Sequence, residues 1–279
     1  MREFVTASGA LALGAKTYIM GILNVTPDSF SDGGRYDGPA QALAHTEAMI
    51  NDGADMIDIG AVSTRPFSSP VSEDAEWSRL AKIVPELRKM TDLPLSVDTV
   101  SVVCAEKCLD AGVDIINDVS GIFRPAMCSL IKKYRAGWVL MHGGTGFAKT
   151  EAVVAYPAGI VNHVQMFFDE VLQCAELEGL AKEQLCLDPG FGFAKTDEQN
   201  TALLRGFGLL KTDGAALMSA LSRKRFIGAL SGDKDASDRL GGTLAANVLS
   251  AAAGADIIRT HEIALHAKAL RTADRVIRG

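Results

Sequence analysis

The chain has 279 residues, 48% hydrophobic and 22% charged, so it can bury a large core and does not read as disordered. Its formal net charge of −6 excludes a general nucleic-acid or membrane-surface binder, though local basic pockets for an anionic ligand remain open. No uncharged apolar stretch reaches the ~18 residues of a membrane span.

The opening MREFVTASGALALGA has only a short apolar part and an acidic Glu3, unlike a signal peptide. Cys104, Cys108, Cys128, Cys174 and Cys186 are odd in number and lack metal-ligand spacing. They are read as free thiols in a reducing compartment, and the protein is assigned to the cytoplasm.

Short apolar runs then recur at 18–25, 55–60, 93–99, 113–119, 137–142, 184–190, 216–222 and 255–261. Each has the length and composition of a strand buried on both faces. Helical periodicity fills connections between them. One helix is predicted after the first run, over 39–54. A single helix is predicted over 72–90, with Ser72 as N-cap and acidic residues in its first turn. Others are predicted over 101–112 and 269–279. The joints DGADMID, AGVDII and AGADII share a glycine, one or two residues, then Asp before apolar residues. That pattern fits a left-handed helix cap leading into a parallel strand. Eight strand–helix alternations predict a (β/α)8 TIM barrel, one domain over 1–279. The loop at 143–157 is longer than usual and is expected to be mobile.

In such a barrel chemistry gathers at the C-terminal strand ends. In chain order those ends carry Asn24, Thr26 and Asp28; Asp58, Ser63, Thr64 and Arg65; Asp98; Asn117 and Asp118; His142; Asp188; Ser222, Arg223 and Lys224; Arg259 and His261. A ring of polar groups around one cavity implies a polar ligand, because buried polar groups need partners. Asp58, Asp98, Asp188 and Asn117 can accept from ring N–H and amino groups, and Lys224 can donate. Arg65, Arg259 and His261 suit phosphate oxygens. Asn24 could ligate magnesium, which favours oxygen donors and substrate phosphates. The residues therefore describe a site for a heterocycle plus phosphate. No Ser–His–Asp order, zinc set, Walker loop or G-x-G-x-x-G fingerprint competes. His45, His163 and His266 are read as surface or packing residues, and Trp77 and Trp138 as structural.

The motifs MGILNVTPDSFSDGG, STRP (63–66), SVDT (96–99), IIND (115–118), LMH (140–142), LDPGFGF (187–193), SRK (222–224) and RTH (259–261) resemble those of the dihydropteroate synthase family, in order and spacing, over nearly the whole chain. The resemblance implies a pterin-binding TIM barrel in folate biosynthesis. Such a transferase joins 6-hydroxymethyl-7,8-dihydropterin diphosphate to 4-aminobenzoate, giving 7,8-dihydropteroate and diphosphate. It implies that Asp98, Asn117, Asp188 and Lys224 hold the pterin, and that Asn24, Arg259 and His261 hold the diphosphate and Mg2+. Thr64, Arg65 and Pro66 would belong to a loop closing over the aminobenzoate, with Phe193 lining that site. Asp98, Lys224 and Arg259 are the expected catalytic residues. The family often dimerises, so a homodimer is compatible with the resemblance.

Four positions depart from the family pattern: Val62 for Glu, Phe67 for Gly, Gly143 for Met and Arg225 for Ser. They read either as drift at tolerant positions or as a remodelled aminobenzoate mouth, with Arg225 adding positive charge and the Phe67 ring crowding sulfonamides and weakening the response to them. Two alternatives stay open: a pterin-binding paralogue without aminobenzoate condensation, and a pterin-dependent methyl-transfer protein.

Overall fold

The structure, a computed structural model, describes residues 2–25, 38–62, 71–143 and 155–279. An antiparallel hairpin, β1 (Glu3–Thr6) and β2 (Gly9–Ala12), comes first. Eight parallel strands follow: β3 (Tyr18–Asn24), β4 (Met56–Gly60), β5 (Leu95–Asp98), β6 (Ile115–Asp118), β7 (Gly137–Met141), β8 (Leu185–Asp188), β9 (Ala216–Ser219) and β10 (Ile257–Thr260). They close in sequence order, with β10 paired to both β9 and β3. Every predicted apolar run thus holds one strand of the expected (β/α)8 barrel.

The connections carry α1 (Gly38–Asn51), α2 (Glu73–Leu80), α3 (Val84–Met90), α4 (Val102–Asp110), α5 (Pro125–Tyr134), α6 (Ile160–Leu177), α7 (Asp197–Arg205), α8 (Arg225–Ser231), α9 (Leu240–Ala252) and α10 (Ile263–Ile277). The single helix predicted over 72–90 is two. Pro85 lies in the first turn of α3, where its missing N–H costs nothing, but it could not continue a helix arriving from Leu80. Ser72 caps α2 as predicted, accepting the Ala75 N–H at 3.3 Å.

The three similar joints work alike. Gly53, Gly112 and Gly254 have φ of +101°, +97° and +104°, open to glycine without strain. The Asp that follows each reaches a neighbouring strand. Asp55 accepts from Ile19 N at 2.9 Å, Asp114 from Leu95 N at 2.8 Å, and Asp256 from Leu217 N at 3.0 Å. Lys16, Arg88 and Arg2 pair with these three carboxylates. The motif pins strand to strand at the barrel's N-terminal end.

Sequence reading did not foresee the hairpin. Its buried Phe4 joins Tyr18, Met20, Met56, Ile115, Val139, Cys186, Ala216, Met218 and Ile257 in an apolar cluster inside the barrel. A Cβ on Gly137 would fall 2.7 Å from Phe4 Cζ, so glycine there makes room for the plug. Outward-facing residues such as Ile57, Val97, Ile116, Leu140, Leu187 and Ile258 pack in a second cluster with the helices. Because side chains alternate along a strand, two steps beyond an inward apolar residue the next inward residue is polar. Met56 gives way to Asp58, Ile115 to Asn117, Cys186 to Asp188 and Ile257 to Arg259. The interior is apolar below and polar above.

Candidate active site

At the C-terminal rim the register sets Asn24 opposite Gly60, Gly60 opposite Asp98, and Asp98 opposite Asn117. A Cβ on Gly60 would lie 3.5 Å from Asn24 Oδ1 and 4.0 Å from Asp98 Cβ, so Asn24 and Asp98 flank a position kept open by glycine. Below this rung lies Asp58, fully buried. Its Oδ1 accepts from Ser96 Oγ at 2.6 Å; its Oδ2 accepts from Asn117 Nδ2 at 3.1 Å and from Arg259 Nε at 2.7 Å. Asp58 therefore spends its oxygens on protein donors, and acts by orienting Asn117 and Arg259 rather than by meeting a ligand itself. That differs from its expected part as a ring acceptor.

The Arg259 guanidinium also stands 3.6 Å from Asp98 Oδ2. Burial foremost, then the Asp58 carboxylate, push the Asp98 pKa up to about 7, against the opposing pull of Arg259. With Nδ2 committed to Asp58, Asn117 keeps its buried Oδ1 without a hydrogen-bond partner among the described residues. A buried carboxamide oxygen in that state calls for a donor.

Asp188 and Lys224 form the other half of the site. Asp188 Oδ1 accepts the Gly190 N–H at 2.8 Å, and burial raises its pKa although Gly190, Lys224, Lys195 and Arg259 oppose the shift. Burial lowers Lys224 to about 8, with Asp188 opposing. Lys224 Nζ lies 4.2 Å from the centre of the Phe193 ring, a cation–π contact that holds both side chains. His261 Nδ1 meets Ser222 Oγ at 2.8 Å, which fixes the imidazole at the end of β10.

Asn24, Asp98, Asn117, Asp188, Phe193, Lys224 and Arg259 thus converge on one rim, with His261 beside it. Other strand-end residues do not join them. Asp118 is bound by Arg124 at 2.7 Å and by Ser120 N, and organises its own loop. Arg223 pairs outward with Glu262. His142 is buried against Lys195. Thr26, Asp28, Ser63, Thr64, Arg65, Pro66 and Phe67 lie outside the described residues, as does most of the long loop after β7. Of the four departures, Arg225 is largely exposed and stands 3.5 Å from Asp197. Gly143 is confined, since a Cβ there would meet Val119 O at 3.3 Å. Of the other histidines, His266 bonds Asn247 at 2.9 Å, and His163 packs on Tyr156 and bonds His142 at 3.0 Å, both as packing residues.

Ser96, Lys195 and Asn200 also serve the site and are not among the residues expected there. Ser96 had one usable signal: it lies two residues before Asp98, on the same face of its strand. Asn200 carried none, as a buried Asn and an exposed one look alike in a helical run.

The chain matches the family model described as "Pterin binding enzyme" over residues 20–261. It is 40% identical to a dihydropteroate synthase of Synechocystis sp. over 95% of this chain and 92% of that protein. The Bacillus subtilis dihydropteroate synthase is 37% identical, covering 98% of this chain and 93% of that one. A Clostridium difficile dihydropteroate synthase structure, determined in the presence of pteroic acid, superposes with a TM-score of 0.89 at 39% identity, covering 96% of this chain and all of that one. A Xanthomonas albilineans dihydropteroate synthase structure with 4-aminobenzoic acid gives a TM-score of 0.89 at 37% identity, covering 96% of this chain and 95% of that one. Its barrel, its rim and these likenesses agree: the chain belongs to the dihydropteroate synthase family.

Proposed function

We propose that this transferase condenses 6-hydroxymethyl-7,8-dihydropterin diphosphate with 4-aminobenzoate, giving 7,8-dihydropteroate and diphosphate, on the rim formed by Asn24, Asp98, Asn117, Asp188, Lys224, Arg259 and His261. The observation that carries this reading is the buried Asp58–Asn117–Arg259–Asp98 group, in which Asn117 Oδ1 has no donor among the described residues. A pterin edge supplies donors and acceptors in alternation. Asn117, Asp98 and Asp188 would accept from ring N–H and amino groups, and Lys224 would donate to a ring oxygen or nitrogen.

In the reaction the amine nitrogen forms a bond to the exocyclic CH2 carbon, the C–O bond breaks, and its electron pair leaves with the diphosphate. The new C–N nitrogen then loses a proton. Positive charge develops on the pterin as the C–O bond opens. Asp98 and Asp188 flank the ring site, and fixed carboxylates there stabilise such a cation without reorganising. Arg259 and His261 would meet the departing diphosphate. Thr64, Arg65 and Pro66, with Phe193, would enclose the aminobenzoate and keep water from the cation.

The donors suit magnesium. Asn24 is exposed at the rim, and its carboxamide oxygen is a hard donor of the kind magnesium takes. An ion drawing most ligands from phosphate and water needs little more. When bound, it would offset negative charge on the leaving diphosphate. All five cysteines are unpaired thiols, which supports a reducing compartment and hence the cytoplasm. No helix among the described residues is long and apolar enough to cross a membrane.

Diphosphate release, followed with the pterin diphosphate present, tests the reading. Release that rises and saturates with 4-aminobenzoate is expected. Binding of the pterin diphosphate without release would favour the paralogue, and preference for a methylated folate would favour methyl transfer.

A further inference from the structure

Lys195 stands outside the chemistry described above, yet it is only 8% exposed. Burying a lysine is costly unless its ammonium is well bonded. Here Nζ reaches Gly190 O at 2.8 Å, His142 Nδ1 at 2.9 Å, Phe193 O at 3.2 Å and His142 O at 3.3 Å. One side chain therefore gathers carbonyls from the end of β7 and from two points in the loop after β8.

That loop needs a fastener. Gly190, Ala194 and Gly192 have φ of +67°, +49° and +77°, and left-handed backbone at a non-glycine persists only where surrounding contacts fix it. A Cβ on Gly190 would fall 2.0 Å from His142 O, so the loop lies directly against the peptide that Lys195 holds. Asn200 Oδ1 supports the same loop through Gly192 N at 2.7 Å. The loop presents two site residues. Asp188 takes its orientation from Gly190 N–H, and Phe193 lies against Lys224.

His142 completes the arrangement. To accept from an ammonium, its Nδ1 must be unprotonated, which places the ring proton on Nε2 toward His163 Nδ1 at 3.0 Å. Burial first, then Lys195 and His163, hold its pKa down to about 2, so it is a neutral acceptor. Burial likewise lowers Lys195 to about 7, with Asp188 opposing.

We propose that Lys195 is a positioning residue of the pterin site: its ammonium pins the segment from Asp188 to Lys195 onto the His142 peptide and so sets the Asp188 carboxylate and the Phe193 ring. The proposal rests on the function given above, and its test keeps the two apart. Wild-type diphosphate release that depends on 4-aminobenzoate checks the function. Lys195→Met and Lys195→Ala check the proposal, through calorimetric binding of the pterin diphosphate and through amide hydrogen exchange at Gly190–Phe193. In folded variants the Kd is expected to rise by about 10- to 100-fold, as for a small misplacement of a binding group, with faster exchange confined to that segment. Propylammonium, which replaces the atoms lost in Lys195→Ala, is expected to restore binding saturably and to leave the wild type unchanged. Unaltered affinity with only a lowered melting temperature would overturn the proposal. So would failure of both variants to fold even with propylammonium, which would assign the ammonium to global stability.

Discussion

Arg259→Met is expected to abolish measurable turnover and to lower the free energy of unfolding by about 3–5 kcal/mol, the usual cost of removing one partner from a buried ion pair. The loss follows from what Arg259 leaves behind. Asp58 is fully buried and bonded to the guanidinium at 2.7 Å; among the described residues Ser96 and Asn117 would then be left to face its charge. Asp98, 3.6 Å from the same guanidinium, would lose its cation as well. Urea unfolding of the variant measures the stability term. Adding Asp58→Asn to Arg259→Met removes the stranded charge, so the double variant should recover most of the lost stability and remain inactive. Equal instability of the single and double variants would show that Asp58 is not what Arg259 neutralises.

The second large effect separates stability from activity. Asp98→Asn should reduce kcat by about 100-fold or more, as loss of a preorganised charge does, and yet make the folded protein more stable above neutrality. Asp98 titrates near 7 in the folded chain, raised first by burial and then by Asp58, whereas an unfolded aspartate titrates near its usual value of about 3.9. Between those two pH values the folded state keeps a proton that the unfolded state has released. Stability therefore falls as pH rises through that window, and the penalty is complete above it. Asn carries no such charge. A gain of at most about 4 kcal/mol at pH 8, shrinking toward nothing at pH 4, is expected from paired denaturation curves. A variant less stable than wild type at pH 8 would show that the Asp98 carboxylate is stabilised, not strained, by its surroundings.

Barrel topology was legible because it is written in composition. Eight apolar runs separated by helical periods admit few other folds, and Gly53, Gly112 and Gly254 marked the joints through a backbone need that only glycine meets easily. The hairpin was not legible: its strands are four residues each, and of these residues Phe4 and Leu11 carry the apolar contact with the core. The split between α2 and α3 was present in Pro85, but the apolar period running through it masked the break. At the site, strand-end position singled out Asp98, Asn117, Asp188 and Arg259. It could not distinguish them from Asp118 and His142, which occupy equivalent places in the sequence and turn to loop partners. Lys195 was illegible for a further reason. In the text it is one lysine in a glycine-rich loop; only the folded path of Gly190 and Phe193 brings their carbonyls around it.

The decisive measurement is a crystal structure with the pterin diphosphate bound. The pterin ring is expected among Asp98, Asn117, Asp188 and Lys224, with a ring donor within hydrogen-bond distance of Asn117 Oδ1. A ring seated elsewhere, with that oxygen still unbonded, would contradict that expectation.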